Sequence, residues 1–509
     1  MTAGDESVSR RAVARGAALA GVAKAAGLIE ALSQPLFIWL FGLATYGIYV
    51  VLWGAINLVS NIIDLSMTSA LQREIPSSDN EEQAHATVKF ALLVSVVPAV
   101  VIALLITLNA EAVAGLFSTA PEDRERLPQA VAIFAWALPL WTFVEVATSA
   151  VRARRAFGPE IRLRVFWEQI ARILFALLFF SFGFRTLGLM AAHLSSLALT
   201  AVLCLPLLGR FYDLKRLARA PISRGLARRL LATGLALLPS TLTRRLLIDA
   251  PPVILNLMLP GTRGAVAAAL FEIARKIATV PLIVRQAFQY VMAPLSSAQA
   301  HADRSEMAPL YRFASRVSTA LVVPLAGLLV FAGADILSVY RAEASAALPL
   351  LYVLVVARAV EAMAGPASAI VEMTGHRILP LVNSAAGVAL GAVLAIWLVP
   401  AFGAMGMAVA TASAMILIAY ASALELKISD GLSPFDSKLL RGLAIALAGV
   451  GLMAIAEHLF RGPARFASVL LLWAAGSWCA LRFGLIRSDR EALGSLGRRL
   501  RLAPPRATH

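Results

Sequence analysis

Leu237-Leu-Pro239-Ser-Thr-Leu-Thr-Arg244-Arg245-Leu-Leu-Ile-Asp249-Ala-Pro251-Pro252 and, shortly after it, Leu270-Phe-Glu272-Ile-Ala-Arg275-Lys276-Ile-Ala-Thr279 carry charge inside long apolar stretches. At the centre of a bilayer each such residue costs roughly 2.5–3.5 kcal/mol on insertion scales. These side chains are therefore expected to face a wet cavity in a helix bundle and not lipid. Both stretches hold more cationic than anionic groups, which implies a passage for an anionic cargo.

Working outward, the rest of the chain is as apolar as these stretches. It has 509 residues, 59% of them hydrophobic and 15% charged, with mean hydropathy +0.78. A soluble fold of this length cannot hide so much apolar surface, whereas a polytopic membrane protein requires it. The fold class expected is all-α and polytopic. The net charge of +16 reads as membrane orientation and not as nucleic-acid binding. Cys204 and Cys479 lie far apart in apolar runs, so neither a disulfide framework nor a thiolate metal site is expected. His193 and His458 have no second ligand at metal spacing and read as packing residues. The polar, basic residues 1–16 read as an uncleaved cytoplasmic tail, since no cleavage pattern follows a short apolar core.

Runs long enough to cross the hydrocarbon core fall near 17–42, 45–72, 88–110, 129–153, 164–184, 187–210, 228–258, 264–296, 312–334, 345–371, 377–399, 403–426, 438–459 and 466–485. That is about 14 spans. Pro251, Pro252 and Pro281 are expected bend points, because proline removes an amide donor and crowds the preceding turn. With the first tail inside, cytoplasmic segments hold 28 Lys and Arg against 7 outside. This is a strong positive-inside signal that puts both termini in the cytoplasm.

The chain also repeats itself. Val-Val-Pro98-Ala-Val-Val leads to Leu116-Phe117, as Val-Val-Pro324-Leu-Ala-Gly leads to Val339-Tyr340. Phe184-Arg-Thr-Leu-Gly188-Leu-Met-Ala aligns with Phe402-Gly-Ala-Met-Gly406-Met-Ala-Val, and Glu145 with Glu361. Each copy holds six spans; an even number gives both copies one orientation, related by an axis along the membrane normal. The expected organisation is a cytoplasmic tail 1–16, a six-helix lobe 17–210 and a basic cytoplasmic linker 211–227. A second six-helix lobe 228–427, two additional helices in 428–485 and a basic cytoplasmic tail 486–509 follow.

Leu43-Ala-Thr-Tyr46-Gly47-Ile-Tyr49, running into Asp64-Leu-Ser-Met-Thr-Ser-Ala-Leu-Gln-Arg73, resembles the first helix junction of the polysaccharide lipid flippases. These belong to the multidrug/oligosaccharidyl-lipid/polysaccharide exporter (MOP) superfamily, whose O-antigen and exopolysaccharide translocases are the type. Pro294-Leu-Ser-Ser-Ala298, Leu310-Tyr-Arg312, Ala346-Ala-Leu-Pro-Leu-Leu351 and Val371-Glu-Met-Thr-Gly375-His-Arg377 are similar to that family too. The likeness covers essentially the whole chain, and a six, six and two arrangement matches the branches that move lipid-linked saccharides. The resemblance implies a V-shaped two-lobe bundle in a bacterial inner membrane, working by alternating access. Its cargo would be a polyprenyl-pyrophosphate-linked sugar or oligosaccharide, moved outward for surface polysaccharide and lipopolysaccharide synthesis. Membrane lipids and polysaccharide assembly enzymes are the implied partners.

A pyrophosphate and a hydroxyl-rich sugar need a cavity that replaces their hydration. Arginine suits this, with a fixed charge and forked donors that match phosphate oxygens. Arg245 and Arg275 are the leading phosphate contacts, with Arg244, Lys276 and Lys24 behind them. The alternative is a set of internal salt bridges, since Arg245 with Asp249 and Glu272 with Lys276 share helix faces four residues apart. Glu30, Asp64, Asp249 and Glu272 are the candidates for proton or sodium coupling; the alternative for them is polar glue between helices. Glu145 and Glu361, at matching repeat positions, suggest a shared structural task. Arg285 reads as an interfacial anchor, with cargo contact as the alternative, and the basic loop 152–164 as a surface for anionic lipid.

No Gly-Lys-Ser/Thr phosphate loop follows a strand, so the chain is not expected to hydrolyse ATP. No cofactor or metal is implied. A cation-coupled multidrug or organic-cation efflux antiporter of the same superfamily is the main rival, but cationic cargo favours an acidic cavity and the surplus here is basic. An enzyme would need catalytic groups on a sizeable exposed loop, and the longest outer loop, 111–128, is short. A scaffold would not need charge near the midplane.

Overall fold

The computed structural model describes residues 28–78, 80–156, 158–298, 307–373 and 378–502. Among them there is helix throughout and no strand. Among the described residues ten helices are long and apolar enough to cross a membrane: Leu43–Ile63, Glu81–Leu108, Leu127–Ala153, Gly188–Gly209, Ala308–Phe331, Ala342–Met363, Leu379–Phe402, Ala404–Asp430, Ser437–Leu459 and Gly462–Gly484. The other four expected spans contain helix in their described residues, and 17–27 of the first lie outside those. They hold Leu28–Phe41, Glu168–Ser181 with the wider-turn segment Ile161–Trp167 before it, Arg224–Met258, and the pair Thr262–Ile277 and Thr279–Ala298. Fourteen spans are compatible with this set. The protein is a multi-pass membrane protein.

Proline acts differently at the expected bend points. Arg224–Met258 runs through Pro239, Pro251 and Pro252 as one 35-residue helix. Pro281 instead sits in the first turn of Thr279–Ala298, just after the interruption at Ala278, where its missing donor would be unpaired in any case.

The chain forms two compact units, Ile29–Glu272 with Val399–Ala404, and Ile273–Leu398 with Met405–His509. Compactness thus groups the helix Arg224–Met258 with the first six spans, a different division from the sequence repeat, which starts the second copy at 228. The cause is close approach at glycine. A Cβ on Gly47 would stand 1.9 Å from the carbonyl oxygen of Ala265, one on Gly54 2.8 Å from that of Asp249, and one on Gly234 2.4 Å from that of Leu65. Small residues let membrane helices meet backbone to backbone, where packing has to replace the hydrophobic drive. Asn256, fully buried, fastens the far end: it donates to the Ser118 carbonyl at 2.6 Å and accepts the Ser118 amide at 2.9 Å. At the near end Glu74 takes Arg229 at 3.0 Å and the Thr233 hydroxyl at 3.0 Å.

Leu43–Ile63 stops at a break where Leu65 and Ser66 both adopt left-handed φ, 47° and 57°. Such conformations cost non-glycine residues of order 1–3 kcal/mol each and need support. Asp64 supplies it. One carboxylate oxygen accepts the Thr68 hydroxyl at 2.9 Å and the Thr68 amide at 3.3 Å, and the other accepts Ser95 at 3.1 Å. Asp64, two residues before the N-cap position at Ser66, thereby caps a first-turn amide of Met67–Glu74.

In the second unit Ala308–Phe331 is the most buried span. The two helices beyond the repeat pack on it, with Gly327 against Val450, and on each other where Gly449 faces Gly476. Residues 487–502 do not hang free. Helix Arg487–Ala492 brings the fully buried Asp489 to Arg316 at 2.8 Å, and Arg316 also bonds Asp436, the cap of Ser437–Leu459. Trp478 and Arg482 donate to the carbonyls of Leu500 and Leu502.

The glycine contacts generate a test. Gly47→Ala should lower the thermal midpoint of the purified protein, since overpacking costs about 1–3 kcal/mol. Gly225→Ala, with nothing within 4 Å of its Cβ, should leave the midpoint unchanged or raise it slightly. Equal midpoints for the two variants in a detergent melting assay would refute the close approach.

Candidate functional site

On Arg224–Met258 the structure leaves Arg244 exposed and Arg245 half-buried. Arg245 reaches Asp249, one turn on, at only 3.8 Å. Glu272 is buried on Thr262–Ile277, with Arg275 and Lys276 half-buried on the next turn. All three have polar or charged partners, so the salt-bridge alternative retains substance for that stretch. Lys24 lies outside the described residues. Glu30, half-buried on Leu28–Phe41, stands in the electrostatic field of Arg172, Glu168 and Tyr49. Asp64 is engaged in capping, as described.

Several strong groups around these residues were given other tasks from the sequence, and Glu168 and Arg172 were not singled out there. Glu145, on Ala137–Ala153, binds Arg164 at 2.6 Å and lies in the fields of Arg245 and Arg152. Arg164 and Arg152 also share Glu160, at 3.2 and 2.9 Å. Three guanidiniums therefore surround two carboxylates, with Asp249 as the third acid. Arg164 belongs to the wider-turn segment Ile161–Trp167. Such a bulge re-aims side chains and recurs at functional sites. Its guanidinium lies 4.5 Å over the ring of Trp141. The loop 152–164, read as a lipid-attracting surface, thus turns two of its arginines toward half-buried acids.

Aromatic rings continue from there. Trp141 meets Trp53 edge-on at 5.0 Å, and Trp53 lies 4.2 Å from the His193 ring. His193, fully buried, shares a 3.1 Å hydrogen bond with Tyr49. Arg172 donates to the Tyr49 hydroxyl at 3.3 Å and to Glu168 at 2.7 Å. Arg172 and Glu168 are each 3% exposed, and a second Glu168 oxygen and His193 Nε2 have no hydrogen-bond partner. The Glu168–Arg172 pair had a visible signal, the same four-residue spacing that drew attention to Arg245 and Asp249. His193 is more than packing, since it links the ring stack to this ion pair.

The second unit has its own cluster. Glu361 holds Arg285 at 2.6 Å through one oxygen and Arg358 at 2.7 Å through the other. Arg285 is thus bound to a buried acid. Glu145 and Glu361, aligned by the repeat, both gather arginine. Chemically, each cluster presents guanidinium forks in apolar surroundings, an arrangement that receives phosphate or carboxylate oxygens.

The fold is similar to that of the lipid II flippase MurJ in an inward closed conformation: TM-score 0.70 at 12% identity, covering 91% of this chain and 98% of that one. It is also similar to an inward-facing multidrug resistance MATE family transporter of the MOP superfamily, with TM-score 0.64, 14% identity, and 84% and 98% coverage. A Vibrio cholerae MATE transporter follows at TM-score 0.59 and 15% identity, with 83% and 99% coverage. No curated protein matches the sequence. Residues 40–343 match the family model described as polysaccharide biosynthesis protein. With well over half its length inside that match and the MOP-type fold around it, the chain belongs to the polysaccharide biosynthesis protein family.

Proposed function

We propose that this protein is a flippase that moves a polyprenyl-pyrophosphate-linked sugar or oligosaccharide from the cytoplasmic to the outer face of a bacterial inner membrane, by alternating access. In this reading the two six-helix copies carry the transport cycle, the two added helices stand outside the repeat, and both termini are cytoplasmic. The observation that carries it is the half-exposed Arg245, loosely held by Asp249 at 3.8 Å in the middle of an apolar helix beside the Glu145–Arg164 cluster. A cation kept there without a tight partner costs insertion energy, and an anionic passenger offsets that cost.

Arg245 and Arg275 contact the pyrophosphate, with Arg244, Lys276 and Lys24 in support. Glu30, Asp249 and Glu272 are the coupling carboxylates; Asp64 belongs with them only if its capping bonds open during the cycle. Outward movement of one negative charge gains about 2.3 kcal/mol per 100 mV when the interior is negative, so voltage alone can help a doubly charged head group. The family name and the likeness to a lipid II flippase favour this reading over drug efflux, as does the surplus of arginine.

A strain lacking the gene is expected to accumulate undecaprenyl-pyrophosphate sugars inside and to lose surface polymer. Arg245→Ala and Arg275→Ala should each slow flipping about 10- to 100-fold, the loss of one charge-assisted hydrogen bond of about 1.5–3 kcal/mol, at normal membrane levels. Wild-type export from both variants would return these residues to a structural role. In loaded vesicles, collapsing the membrane potential or the pH gradient separately should slow transport in at least one case. Flipping indifferent to both would refute ion or voltage coupling.

A further inference from the structure

The Arg285–Glu361–Arg358 cluster has two cations and one acid within the second unit, all largely buried: side-chain exposures are 13%, 8% and 11%. Both Glu361 oxygens are spent, one on each arginine, while Arg285 Nε is buried without a hydrogen-bond partner. The first-copy counterpart differs, because Glu145 and Glu160 together balance Arg164 and Arg152. Elsewhere around Glu361 the neighbouring helices offer neutral groups. The Tyr420 hydroxyl is bonded to the Val360 carbonyl, the Tyr311 hydroxyl to the Ala364 carbonyl, and Gln289 to Ser368. Glu361 therefore has Arg285 and Arg358 as its charged partners, and among the described residues the cluster holds one more cation than acid.

We infer that this cluster is an anion-exchange site, in which a phosphoryl group of the cargo displaces Glu361 from Arg285 and Arg358, and Glu361 then takes up a proton from water. Phosphate offers more acceptor oxygens than one carboxylate and matches two guanidinium forks. A carboxylate that loses its cationic partners in a buried setting neutralises itself by binding a proton. The exchange couples arrival of the anion to uptake of one proton, so the loaded protein carries less negative charge than its cargo brought. This inference rests on the flippase reading for the identity of the cargo, but the binding step can be measured apart from transport.

The test titrates inorganic pyrophosphate into wild-type protein and Glu361→Gln in nanodiscs of zwitterionic lipid, by calorimetry in buffers of different ionisation enthalpy. Protonation changes of pyrophosphate itself cancel between the two proteins. The wild type is expected to take up about one proton more than the variant, since one linked proton changes affinity by about tenfold per pH unit. Glu361→Gln should bind more tightly at neutral pH and lose that pH dependence, while Arg285→Lys, which keeps charge but not the fork, should bind more weakly. Equal proton uptake and equal affinity in wild type and Glu361→Gln would overturn the exchange, even where deletion of the gene still blocks export. Conversely, a deletion strain with normal export would sink the flippase reading and leave the proton count standing. If nanodiscs containing phosphatidylglycerol abolish pyrophosphate binding, the site serves membrane lipid headgroups and its assignment to cargo is wrong. Glu361→Gln keeps the side chain's volume and one acceptor oxygen while it gives up the charge and the second acceptor, so the comparison holds even where an arginine variant fails to fold.

Discussion

Arginine inside hydrocarbon must find an acid, and this protein has fewer acids than arginines to offer. One carboxylate is therefore shared by several guanidiniums: Glu145 by Arg164 with Arg152 and Arg245 in range, Glu361 by Arg285 and Arg358. A buried ion pair contributes little net stability, because desolvation offsets the attraction, but removing one partner is costly. Such clusters are thus rigid in composition and adjustable in occupancy. In the exchange proposed above, an incoming anion takes the place of the shared acid on its arginines, and the released acid is neutralised by a proton.

The helices themselves are held together by a different rule. Where Gly47, Gly54 and Gly234 face backbone carbonyls, a larger side chain has no room, and the long helix Arg224–Met258 lies close against the first unit. The same contact presses Gly234 onto Leu65, in the break that Asp64 caps. Strain at Leu65 and Ser66 is thus stabilised from both sides, by hydrogen bonds to Asp64 and by packing from Gly234. A segment so constrained keeps the direction change after Ile63 fixed.

Much of the architecture was legible because a membrane span needs about 20 apolar residues, a signal that survives without tertiary information. Contacts one helical turn apart were legible too, as with Arg245 and Asp249, and Glu168 with Arg172 could have been read in the same way. Arg164 with Glu145, and Arg285 with Glu361, could not, because their meeting depends on how distant helices pack. Nor could the break at Leu65 and Ser66, which interrupts an apolar run with neither glycine nor proline. The basic stretch 211–227 looked like a divide because its composition changes there. Yet it includes the short helix Leu214–Arg219, capped by Asp213, and Lys89 donates to the Ala220 carbonyl at 2.9 Å, so composition and compactness part company.

The tie between Arg316 and Asp489 spans 173 positions of chain. During synthesis, Arg316 enters the membrane long before Asp489 is made, with Asp436 arriving in between. Ala308–Phe331 must therefore sit provisionally in the translocon or beside it, its guanidinium hydrated or borrowing a phospholipid headgroup. It is locked only when helix Arg487–Ala492 arrives. The second unit cannot mature strictly in order of synthesis; its middle is completed by a part made much later.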